Sequence, residues 1–151
     1  MPSQIGTSTF LADTVLIIRD DILTNITDPI SATRDSAQKF CMTSYPKRSV
    51  TYPIVTVVDK GISDFSPAGM SSTVIYQRLS IEVRVWGRNV LERDQIAQAI
   101  HNRFRTERIT FSKTQLLHDY RISSLINVDE TGEQGIKSKL FTISFLQVLG
   151  E

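Results

Sequence analysis

One cysteine, Cys41, stands in a chain of 151 residues. A disulfide within the chain is therefore excluded, and a zinc site would have to rest on histidine and carboxylate. A reducing compartment fits such sparing use of thiols. Histidine is nearly as scarce, with only His101 and His118. Neither has metal-ligand spacing to a Cys, His or carboxylate pair, so no metal site is expected. An excess of either charge is also lacking: Lys and Arg number 17 and Asp and Glu 16, which leaves a net charge of +1. No global field draws the chain to nucleic acid or to a membrane, and little self-repulsion opposes association. Long apolar runs are absent. The stretch 11–23 is broken by Asp13, Arg19, Asp20 and Asp21, and no basic region precedes it. The reading predicts neither a signal peptide nor a membrane span, and expects a soluble protein with no membrane partner.

The motifs of common enzymes are missing as well. Gly61-Ile-Ser-Asp-Phe-Ser-Pro-Ala-Gly69 has neither a P-loop lysine nor Rossmann spacing. There is no Gly-x-Ser-x-Gly. Asp20 and Asp21 are adjacent, so on a helix they diverge by about 100° and do not form a dyad. Asp129 and Glu130 read as a solvated turn. Cys41, between Phe40 and Met42, reads as a buried inert thiol. His101 is expected near the wet edge of its helix. No catalytic residue and no cofactor are predicted, and the chain is read as not an enzyme.

What the sequence does hold is periodicity. Apolar residues make up 40% of the chain, enough for the core of one domain spanning 1–151. The unit 75–104 is the most informative part. Leu79, Ile81, Val83 and Val85 alternate with Arg78, Ser80, Glu82 and Arg84, which predicts a strand with one dry and one wet face. Leu91, Ile96, Ala97, Ile100 and Phe104 then recur at helical spacing. Asn89 and Glu92 between the two patterns read as a helix start, with Asn89 accepting from a free backbone N–H.

The remaining elements follow from the same rules. Leu11, Val15, Ile18 and Ile22 predict a first helix over 9–25. Strands are predicted over 54–59, 73–86, 120–128 and 138–149, with Ile122, Ile126 and Val128 on one parity and Phe141, Ile143 and Phe145 sharing a face. The stretch 60–72 reads as a polar loop, and 28–52 as a long irregular arm after the first helix, either a surface loop or a partner-binding arm. The expected fold is α+β: a two-layer, roughly four-stranded, mainly antiparallel sheet with two helices packed on one face. The other face carries Arg78, Ser80, Glu82, Arg84, Thr142 and Ser144. It reads either as an ordinary solvated face or as a channel wall polar enough for a polyanion to slide along.

Two stretches carry a family resemblance. They are Tyr45-Pro-Lys-Arg-Ser-Val-Thr-Tyr-Pro-Ile-Val-Thr-Val-Val-Asp-Lys-Gly61, and Leu79-Ser-Ile-Glu-Val-Arg-Val-Trp86 leading into Glu92-Arg-Asp-Gln-Ile-Ala97. The chain resembles the tail terminator, or tail completion, proteins of long-tailed phages and archaeal viruses. The resemblance implies a structural virion protein that forms a homo-oligomeric ring, usually hexameric. Such a ring caps the tail tube, ends tail growth and offers a surface to the head-side connector, while DNA passes through its centre. It implies a place at the head-proximal end of the tail, with assembly in the host cytoplasm. In that setting Arg78, Ser80, Glu82, Arg84, Thr142 and Ser144 are the candidate lumen face. Tyr45, Lys47, Arg48, Tyr52, Asp64, Trp86, Asp129 and Glu130 are the candidate contacts with neighbouring subunits, the tube protein or the connector. The alternatives are a head–tail connector or neck protein of a tailed virus, and a small soluble ligand-binding α+β domain.

Overall fold

The computed structural model describes residues 10–34, 39–44, 51–65, 74–110, 118–128 and 137–150. The elements in chain order are α1 (Phe10–Asn25), β1 (Cys41–Met42), β2 (Ile54–Phe65), β3 (Val74–Gly87), α2 (Val90–Thr106), β4 (His118–Ile122), β5 (Ile126–Val128) and β6 (Lys137–Gly150). Residues 108–110 are also helical, so the described residues hold three helical segments where two helices were expected. The strands form one sheet in the order β1-β2-β3-β6-β4, with β5 also paired to β6.

The class is α+β, but the sheet differs from the expected one. It has six strands rather than four, and it is mixed, because β1 pairs with β2 in parallel. A two-residue strand is too short to leave any alternation in the sequence, so β1 had no periodic signal to find. Within the stretch 28–52, the described residues include part of the core. Phe40 and Cys41 are buried in the main core, and Val55 N–H donates to the Phe40 carbonyl at 2.8 Å. Arg34 fastens the turns that precede them. Its side chain is only 4% exposed; its guanidinium grips Asp28 at 2.6 Å and reaches the carbonyl oxygens of Thr51 and Pro53.

Two irregularities set the sheet's outline. Asp59 pairs with Ile81 but Gly61 pairs with Ser80, so Lys60 is an extra residue in β2. Gly61 sits at φ 125°, a region open to glycine because it has no Cβ. The bulge lets β2 continue to Phe65, where the sequence reading had placed a loop. The second irregularity splits the predicted strand over 120–128. Ile122 pairs with Ile143, but Ile126 pairs with Leu140, a register shift of one across Ser123, Ser124 and Leu125. A shift of one exchanges faces. Ile122 and Leu125 pack on the core, whereas Ile126 is 53% exposed beside Leu140 on the opposite face.

The core lies on the helix side. Leu79, Ile81, Val83 and Val85 of β3 stand beside Phe141, Ile143 and Phe145 of β6 and Val55 and Val57 of β2. All of these are fully buried, as the alternation in β3 and β6 predicts. Val15, Ile18 and Ile22 of α1 and Ile96, Ala97, Ile100 and Phe104 of α2 cover them. Arg103 of α2 also bridges to Asp21 of α1 at 3.0 Å, joining the two helices directly.

The start of α2 follows the predicted cap with one change. The Asn89 side chain accepts from Glu92 N–H at 2.9 Å. Glu92 turns back to Arg88, accepting from its backbone N–H at 3.2 Å and from its guanidinium. Leu91 departs from the expected stripe. It is 68% exposed, and Arg93 is buried in the first turns instead.

Candidate functional site: the uncovered sheet face

Neither helix covers the second face of the sheet. The paired registers place Arg78, Ser80, Glu82, Arg84 and Trp86 of β3 beside Leu146, Ser144, Thr142, Leu140 and Ser138 of β6. All six predicted lumen residues therefore share one surface. Each is partly exposed.

Two carboxylates organise its charge. Glu82 accepts from Arg84 Nε at 2.9 Å and meets Lys60 Nζ of β2 at 3.3 Å. Asp119 accepts from Arg78 and from Arg121, the latter at 2.9 Å. The Arg78 hydrogen bond, then that of Arg121, holds the Asp119 carboxyl below the usual carboxylate range. Each carboxylate thus serves two cations, and each cluster keeps about one net positive charge. Arg78 also donates to Ser144 Oγ at 3.3 Å, which ties the row on β3 to the row on β6. Lys60 and Asp119 were not legible as members of this face. Lys60 arrives through the bulge, and Asp119, itself at φ 48°, through a register shift between His118 and Arg121 in β4.

One end of the face is apolar. Trp86 lies here, on the side away from the helices. Its indole Nε1 donates to Thr56 Oγ1 at 3.3 Å, and the Arg84 guanidinium stands 5.2 Å from the ring. Ile54 and Leu140 are buried near it yet lie outside the main core. With exposed Ile126 they give this end an apolar character.

The remaining predicted contact residues divide in two. Tyr52 is half-buried ahead of β2, with a cis peptide bond to Pro53, and Asp64 lies within β2 opposite Gln77. Tyr45, Lys47, Arg48, Asp129 and Glu130 lie outside the described residues. Of the stretch 60–72, read as a polar loop, residues 60–65 are strand, while 66–73 and 129–136 lie outside the described residues.

The groups screened for chemistry are held in the framework. Cys41 is fully buried, and burial pushes its thiol up to about 12, far from a reactive thiolate. Asp20 is paired with Arg19 and Asp21 with Arg103. His101 lies against the core, not at the wet edge: its ring meets Phe141 edge-on at 5.1 Å, and Nε2 is 2.9 Å from the Ser123 carbonyl oxygen. Among the described residues, no three His, Cys, Asp or Glu side chains gather as a metal site would require, and no helix is long and apolar enough to cross a membrane.

A cavity of about 260 Å³ opens at the other end of α2, between the helix and β4. It is lined by His101, Arg105, Arg108, Tyr120, Ile122, Ser123 and Ser124. The spacing of Arg105 and Arg108 was its only trace in the sequence. No family model and no curated protein sequence matches the chain.

Proposed function

We propose that this chain is a structural virion protein of the tail terminator class. In this reading it forms a homo-oligomeric ring that caps the tail tube, ends tail growth and offers a surface for head joining, with DNA passing through the hole. The observation that carries the reading is the uncovered sheet face. It is long, and its cations are gathered in two clusters, each only partly neutralised by a carboxylate, rather than in a dense basic stripe. A wall of that kind suits a duplex in transit. Many unpaired Lys or Arg would each release counterions on meeting a phosphate and hold the DNA in place. The apolar end around Trp86 and Ile126 favours a subunit or tube contact, because large apolar and aromatic side chains anchor interfaces. A closed ring also needs two different patches meeting head to tail. The two edges of the sheet are built from different strands, β1–β2 on one side and β4–β5 on the other.

The test is the mass of the purified protein by light scattering across a concentration range, alone and with the tube protein of the same virus. A discrete ring mass, in either condition, supports the proposal. A monomer throughout, with no uptake by the tube, overturns it.

A further inference from the structure

Both edges of the sheet end in strands whose outer side meets no further strand among the described residues. On one edge, β1 pairs with β2 only at Val55 and Thr56, so β2 from Val57 to Phe65 has no described strand beyond it. On the other edge, β4 and β5 pair with β6 and with no strand further out. Val55 N–H turns outward to the Phe40 carbonyl, and alternation along the strand turns the N–H and C=O of Val57 and Asp59 the same way. Such an edge is a template for another strand. The bulge at Lys60 breaks the ladder at one point and leaves an exposed apolar side chain on either side of it. Val58 lies on the uncovered face and Ile62 on the helix side, 39% and 38% exposed.

The two edges match in height, direction and charge. Asp59 shares a row with Ile81, Ile143 and Ile122, and Ser63 shares one with Arg78, Leu146 and His118. β4 therefore occupies the same rows as the free stretch 59–63 of β2. A second copy reaches it by rotation with no slide along the strands, as a closed ring requires. The directions agree as well. β2, β3, β6 and β4 alternate, so the β2 of a copy set alongside runs antiparallel to β4, the more stable pairing. Asp59 lies on the helix side, exposed and with no cation partner among the described residues. Arg105 and Arg108 stand beside Ile122, exposed and with no carboxylate partner among the described residues. On the same side, exposed Ile62 has its apolar counterpart in the partly buried Tyr120 and Ile122 of the other edge.

We infer that the stretch 59–63 of β2 in one copy adds, antiparallel, to β4 of a second copy, so that the sheet continues from subunit to subunit. Backbone hydrogen bonds join the two edges. Asp59 is set against Arg105 and Arg108 of the neighbouring copy, and Ile62 against its Tyr120 and Ile122. The inference rests on the ring proposed above and names its seam. The two edges differ, so the contact is head to tail and repeats around the ring.

The test combines hydrogen exchange of the full chain with assembly of three variants, followed by light scattering. The Asp59 amide should exchange more than about tenfold slower in the ring than in the monomer, because its outward N–H gains a partner. Ile62→Lys places a charge at a partly exposed edge position, so it should keep the monomer's melt and lose the ring. Asp59→Arg, at an exposed position, should raise the concentration for half-assembly by about tenfold or more, since like charges then meet across the seam. Adding Arg105→Glu and Arg108→Glu to the Asp59→Arg chain should restore assembly. An Asp59 amide that exchanges equally fast in the ring would overturn the seam and leave the ring standing. So would Ile62→Lys or Asp59→Arg chains that assemble like the wild type. A wild-type chain that stays monomeric with and without the tube protein would overturn the ring, and the seam with it.

Discussion

Glu82 stands between Arg84 and Lys60, 2.9 Å from one and 3.3 Å from the other, at the centre of the uncovered sheet face. One carboxylate therefore restrains two cations where a sliding polyanion would meet them. Glu82→Gln keeps the shape and a hydrogen-bond acceptor for Arg84 but removes the charge. The monomer should keep its fold, losing no more than about 1 kcal/mol, as for other partly exposed pairs. Its affinity for double-stranded DNA should rise at low salt, with a salt slope steeper by about 0.9 for each phosphate newly held. Fluorescence anisotropy with a labelled duplex at several salt concentrations measures this. An unchanged slope would remove Glu82 from the proposed lumen wall.

The helix side of the same strand should behave in the opposite way. Val83 is fully buried between the sheet and the helices. Val83→Asp places an uncompensated carboxylate there and should cost several kcal/mol, enough to unfold a domain of ordinary stability. Circular dichroism and a thermal melt report it. A native spectrum with an unchanged melt would contradict the layer order.

Arg34 and Asp28 predict an acid-sensitive joint. Burial raises the Asp28 carboxyl, but the Arg34 hydrogen bond, the Ile30 N–H and the Arg34 charge outweigh it, and the net shift is downward. A lowered carboxyl contributes stability above its unfolded value, near 3.9. That contribution is lost as pH falls from there through the lower folded value. Arg34→Ala should therefore flatten the acid limb of the stability curve. At neutral pH it should cost about 3–5 kcal/mol, because it strands a largely buried carboxylate. Urea midpoints across the acid range check both effects. An acid limb identical to the wild type would show that the pair does not organise this region.

Gly87 joins β3 to α2 at a close approach. A Cβ at this position would lie 2.9 Å from the backbone nitrogen of Arg93 and 3.0 Å from its Cα. Backbone cannot move aside as a flexible side chain can, so Gly87→Ala should destabilise by about 1–3 kcal/mol. A shift in the chemical denaturation midpoint without a change in slope is the expected result. An unchanged midpoint would mean that the strand–helix joint relaxes freely.

The legible and illegible parts of this fold differ for physical reasons. The alternation of Leu79, Ile81, Val83 and Val85 could be read because long strands with one dry face repeat every second residue. The same holds for Phe141, Ile143 and Phe145, and it placed Ser80, Glu82, Arg84, Thr142 and Ser144 on one surface. The bulges broke that logic. Ile122 and Ile126 keep the same parity in sequence yet face opposite sides, because the chain shifts register between them. Lys60 reached the charged face through a bulge at Gly61 that read as a loop. His101 looked like a wet-edge residue because helical spacing gives only a direction. The Ser123 carbonyl and Phe141 ring that hold it come from strands far along the chain. Leu91 looked like core because it is apolar, but α2 has only just begun there and does not yet lie over the sheet.

In the proposed ring, the uncovered face lines the hole. The most direct measurement is electron microscopy of the assembled protein carrying a gold cluster on Ser144→Cys. The introduced thiol is the only exposed one among the described residues, since Cys41 is buried. Closed rings with gold inside the central hole are expected. Gold on the outer rim, or helices lining the hole, would contradict it.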